Sequence, residues 1–93
     1  MIIKAAILRI QNDTVALVIV PNEFVTNHAT GNNIIKVLQL LTFPGKQVLL
    51  VTVLSGRYVY YGRQDLMDYC NSENTIDNVY SSLRDYSVNF PGM

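Results

Sequence analysis

QVLLVTVLSGRYVYY, residues 47–61, carries the organisation of this chain. Seven of the eight residues from Val48 to Ser55 are apolar or Thr, and none is charged. Such a run has no face suited to water, so it predicts a central strand covered on both sides. Ser55-Gly56 predicts a tight reversal, because Gly accepts the positive φ of a two-residue hairpin turn and side chains bearing a Cβ resist it. The return segment, Arg57 to Tyr61, is rich in Val and Tyr, which suit a half-buried pleated surface. In this hairpin Tyr58 opposes Val53 and Tyr60 opposes Val51.

Upstream, residues 1–11 and 14–20 are two further β-rich runs. Asn12-Asp13 separates them and tolerates the left-handed backbone of a hairpin turn. That turn sets Ile10 against Val15, Leu8 against Leu17 and Ala6 against Ile19. Both faces of this hairpin carry Ile, Val or Leu, so both call for cover. Pro21 ends the second strand, since it cannot donate to a ladder. Residues 22–31 read as a polar loop around Phe24-Val25, or as a short helical turn led by Asn22 that buries those two side chains.

Ile34, Val37, Leu38 and Leu41 then follow the spacing of one helical face, with Asn32 or Asn33 as cap and Phe43-Pro44-Gly45 as stop. A helix between two apolar strands is a crossover, which lays the second and third strands parallel. After Gly62, residues 63–70 form a short helix with Leu66, Met67, Tyr69 and Cys70 on its apolar side. A last helix is expected over 74–85, with Ile76, Val79, Tyr80 and Leu83 inward, and residues 86–93 are a tail in which Val88 and Phe90 could dock. The expectation is one α+β domain over 1–93: a four-stranded mixed sheet in the order ββ-α-ββ-α(α), with the helices mainly on one face.

Composition bounds the function. In 93 residues, 49% are hydrophobic and 15% charged, against a usual charged share of about 25%. A small domain has much surface for its volume, so excess apolar content implies a second burial site, and a homodimer is the simplest. Seven basic and seven acidic residues cancel, which argues against nucleic-acid binding by counterion release. One cysteine cannot form an intrachain disulfide, the apolar N-terminal run is interrupted by Lys4 and Arg9 unlike a signal peptide, and no uncharged stretch reaches the length of a membrane helix. A cytoplasmic protein is expected. The Asn12-Asp13-Thr14 sequon is better explained as a turn.

The candidate chemistry is thin. Cys70 is the only thiol and His28 the only histidine; as a nucleophile–base pair they would make a small cysteine-dependent enzyme, whereas a lone Cys on an apolar helix side behaves as a small hydrophobe. Two such ligands are too few for a structural zinc site. Asp65 and Asp68 could share a hard cation, although acidic residues near a helix start are ordinary. Thr30-Gly31-Asn32-Asn33 stands where helix-start N–H groups can hold an anion, or where they are merely capped. Lys46 precedes a strand and is out of context for a phosphate loop.

The most distinctive stretch is RYVYYGR, residues 57–63. Tyr58 and Tyr60 share one face of a strand flanked by Arg57 and Arg63. Aromatics framed by arginines can stack bases and neutralise phosphates. They can also be cross-strand core pairs or the apolar centre of a protein interface. The leading expectation is a non-catalytic, self-associating interaction domain with no cofactor. Its interface is Val51, Val53, Tyr58 and Tyr60, and its polar rim is Arg57 and Arg63. The alternative is a small nucleic-acid binder using Arg57, Tyr58, Tyr60 and Arg63.

Overall fold

The computed structural model describes residues 1–89. Strands β1 (Ile2–Ile10) and β2 (Asp13–Ile19) form the first hairpin, and helices α1 (Glu23–Thr26) and α2 (His28–Leu41) follow it. Strands β3 (Gln47–Leu54) and β4 (Arg57–Tyr61) form the second hairpin. Helices α3 (Gln64–Glu73) and α4 (Thr75–Val79), a 3₁₀ turn (Tyr80–Ser82) and strand β5 (Arg84–Ser87) complete the chain. All strands lie in one sheet, ordered β4-β3-β2-β1-β5.

The central hairpin forms as its sequence predicts. Ser55 and Gly56 both take positive φ, 52° and 75°, the turn that matches the twist of adjoining strands. Val51 pairs with Tyr60 and Val53 with Tyr58. Strands β2 and β3 are parallel, as the α1–α2 crossover requires. The first hairpin turns one residue earlier than expected, at Gln11-Asn12, with Gln11 at φ 57°. Its register therefore places Leu8 opposite Val15 and Ile10 opposite Asp13. A slip of two residues leaves every side chain on its expected face, so the core is unaffected.

Among the described residues the sheet has five strands, not four. The expected helix over 74–85 runs only as far as α4 and the 3₁₀ turn, after which the chain extends and pairs antiparallel with β1. Arg84 to Ser87 has no apolar alternation, which is why it does not read as a strand; backbone pairing to an open edge holds it. Tyr86 adds a ring packed edge-on against Phe43, centroids 5.0 Å apart, and Val88 is buried. Residues 86–88 are thus part of the body and not a tail, while Phe90 lies outside the described residues. Tyr80, expected inward, is 66% exposed.

The helices divide between the two faces instead of sharing one. On the first face Ala16, Val18, Val48 and Leu50 pack with Phe24, Val25, Ile34 and Leu38 of α1 and α2. On the second, Val15, Leu17, Leu49, Val51 and Tyr60 pack with Leu66 and Cys70 of α3 and Ile76 of α4. Strand β3 supplies both layers, which is why its sequence lacks a polar period. Each large side chain so buried contributes roughly 1.5–3 kcal/mol, so neither face could be left wet.

Helix α1 realises the short-turn reading of residues 22–26, with Phe24 and Val25 buried. Helix α2 begins at His28, four residues before the earlier expected cap, because the Asn27 side chain accepts from the Thr30 N–H at 3.1 Å. Its last expected core position, Leu41, is exposed, and Phe43 closes that end of the core.

Candidate functional site

The residues expected to form one interface separate into three environments. Val51 and Tyr60 are 1% and 8% exposed beneath α3 and α4. They belong to the core, because α3 and α4 cover the second face where a partner was expected. Burial pushes the Tyr60 hydroxyl up to about 12, since a phenolate there would lose its hydration.

Val53 and Tyr58, one pleat further along the same face, emerge from under α4 and are 54% and 40% exposed. The Tyr58 hydroxyl donates to Asp77 Oδ1 of α4 at 3.1 Å, and that carboxylate raises the Tyr58 pKa. Tyr80 lies close enough to add to the field at both Tyr58 and Lys4. Ile2, 62% exposed, occupies the outer end of β1 on this face. A shallow notch of about 30 Å³ between Ile19, Val53, Tyr58 and Ile76 completes the patch. Ile2 and Tyr80 escape a sequence reading because one sits at the start of a β-rich run with apolar residues on both faces and the other falls on an apparent helix stripe.

The arginines behave differently from one another. Arg63 is held by two carboxylates: its Nε donates to Asp65 Oδ1 at 2.7 Å, and its terminal nitrogen bonds both Asp65 and Asp13. These partners raise the Arg63 pKa and lower that of Asp65. Arg63 therefore ties the start of α3 to the first hairpin. Arg57 is exposed at the hairpin tip and makes no ion pair among the described residues. With Tyr60 buried and Arg63 neutralised, the base-stacking and phosphate-binding set is not assembled.

Cys70 and His28 lie on opposite sides of the sheet. Cys70 is buried in the α3–α4 layer, and burial pushes its thiol up, with the Thr75 hydroxyl pulling weakly the other way. His28 starts α2 on the other face and stacks on Tyr61. A five-stranded sheet separates the two, so the nucleophile–base pair does not form.

Asp68 accepts from Gln64 at 2.9 Å and Asp65 is engaged by Arg63. No group of three or more His, Cys, Asp or Glu suited to a metal occurs among the described residues. Thr30 and Gly31 lie inside the first turn of α2, where their N–H groups bond the Asn27 side chain and the Asn27 carbonyl. The anion site considered there is closed by its own cap. No helix among the described residues is long and apolar enough to cross a membrane.

Comparison with family models, with curated proteins and with solved structures gives no match to this chain.

Proposed function

We propose that this chain is a non-catalytic interaction domain that self-associates, as a homodimer, through the apolar patch at the outer end of the α3–α4 face. The exposed cross-strand pair Val53–Tyr58 carries this reading. Two large side chains on a strand face otherwise covered by helices are left open, with Tyr80 close to Tyr58, and exposed apolar surface marks association sites. Tyrosines are suited to such a site, since the ring is buried while the hydroxyl keeps a polar partner. Zero net charge and few charged residues lower the repulsion between two copies. Arg57 is the polar rim of this surface; Val51 and Tyr60 support it from below.

Native mass spectrometry and sedimentation velocity test the reading. The wild type is expected at twice the 10.5 kDa chain mass. Tyr58→Asp and Val53→Asp should each give a folded monomer with an unchanged far-UV spectrum. A monomeric wild type, or a dimer indifferent to both substitutions, would falsify it.

A further inference from the structure

Strand β1 is nine residues long, yet β5 covers only part of its outer edge. The pairing of β5 begins at Ile2↔Ser87 and stops at Ala5↔Arg84. Beyond Arg84 the chain peels away into the 3₁₀ turn, where the Leu83 N–H bonds the Tyr80 carbonyl at 3.3 Å. The other edge of β1 is taken by β2 from Lys4 to Ile10.

The polarity of the uncovered edge follows from the ladder. Met1 and Val88 exchange both backbone hydrogen bonds, at 3.1 and 2.8 Å. In an antiparallel pair such exchanges recur at every second residue, so Met1, Ile3 and Ala5 turn their backbone groups toward β5. Ile7 and Arg9 continue that series with no strand opposite them among the described residues. Both residues are exposed, Ile7 at 41%. Beside Ile7 lies a cleft of about 560 Å³ whose lining includes Ala5, Ser81, Ser82, Arg84 and Tyr86.

Charge selects the occupant. Arg9 and Arg84 fall on the same face of the sheet as Ala5 and Ile7, by the alternation of their strands. Neither makes an ion pair among the described residues, unlike Lys4, which is paired with Asp85 on the opposite face. A second copy adding its own β1 would bring another Arg9 onto an edge that already carries two arginines. An acidic strand meets no such repulsion.

We propose that the uncovered edge of β1 at Ile7 and Arg9 accepts an extended acidic peptide as an added strand. Its backbone completes the ladder beyond Arg84, and its carboxylates pair with Arg9 and Arg84. Strand addition of this kind takes affinity from main-chain hydrogen bonds and selectivity from flanking side chains. The surface is separate from the Val53–Tyr58 patch and does not depend on it.

The test uses two labelled peptides, Glu-Val-Thr-Val-Glu and Lys-Val-Thr-Val-Lys, titrated into the full chain at low salt. Binding is read by fluorescence anisotropy and by amide chemical shifts. The acidic peptide should bind at least about tenfold tighter, as each well-placed charge pair of about 1.4 kcal/mol would give. The largest shifts should fall on the Ile7 and Arg9 amides. Ile7→Pro removes only an outward donor and should abolish binding while β1 stays paired with β2. The double variant Arg9→Glu/Arg84→Glu should reverse the preference and covers the case in which Ile7→Pro fails to fold. Equal affinity for both peptides, no binding at millimolar concentration, or shifts centred on Val53 and Tyr58 would overturn the proposal. So would a wild-type dimer that Ile7→Pro converts to monomer, since a second copy would then hold the edge. Repeating the titration in Tyr58→Asp separates this result from the fate of the proposed dimer.

Discussion

The imidazole of His28 stacks on the ring of Tyr61, with centroids 4.6 Å apart and planes 22° from parallel. The Tyr61 hydroxyl donates to Asn32 Oδ1 at 2.9 Å, one turn further along α2. Together these contacts fasten the start of the crossover helix to edge strand β4. They give the single histidine a packing role at the start of α2.

Gly31 lies under this contact and sets its spacing. A Cβ there would meet the Phe24 carbonyl oxygen at 2.6 Å and the Tyr61 ring at 2.9 Å. The backbone oxygen cannot swing aside as a flexible side chain could. Gly31→Ala should therefore destabilise the protein by about 1–3 kcal/mol, overriding the gain of about 1 kcal/mol that Ala brings to a helix interior. Urea unfolding reads this directly. A midpoint at or above that of the wild type would mean α1 can retreat from α2 at no cost.

Tyr60 makes stability fall in alkali. Its hydroxyl is raised from 10.0 to about 12 in the fold, so between those values the unfolded chain has released a proton that the folded chain keeps. Stability from this group is complete below pH 10 and declines as pH rises toward 12, by about 2–3 kcal/mol in all. Thermal melts across pH 9 to 11.5 should show the decline, and Tyr60→Phe should flatten it. An ultraviolet titration should show a late-ionising tyrosine signal that Tyr60→Phe removes. Identical pH slopes in wild type and Tyr60→Phe would place the effect elsewhere.

Cys70 should be a slow thiol. It is fully enclosed between α3 and the sheet, and burial raises its pKa, so both thiolate fraction and access are low. Iodoacetamide at neutral pH should alkylate the native protein at least about tenfold more slowly than free cysteine, with the full rate restored in urea. Alkylation as fast as the free thiol would show that the α3–α4 layer opens readily.

Much of this architecture is legible in the residues themselves. The central hairpin is set by an uncharged run ending in Ser55-Gly56, and the tyrosine–valine pairs follow from the turn alone. The parallel pairing of β2 and β3 follows from a helix lying between two apolar strands. The first hairpin keeps its faces despite a shifted turn, because a slip of two preserves parity. The fifth strand has no comparable signal: Arg84 to Ser87 is extended only because an edge of β1 is there to pair with. Helix α3 continues to Glu73, past the end expected at residue 70, and Asn74 in the left-handed conformation at φ 48° separates it from α4.

The candidate site divides along the same line. Residue types and strand alternation put Val51, Val53, Tyr58 and Tyr60 on one face, a matter of local geometry with a period of two. Which of them meets solvent depends on where α3 and α4 come to rest against the sheet, a matter of packing between elements. That placement buries Val51 and Tyr60, leaves Val53 and Tyr58 open, brings Arg63 onto Asp13 and Asp65 at the surface, and sets Cys70 and His28 on opposite sides of the sheet. By itself the sequence determined the first four strands, their faces and the central pairing, because these rest on neighbouring residues. Only the tertiary structure decided exposure and proximity, because those arise from packing between elements that no local pattern encodes.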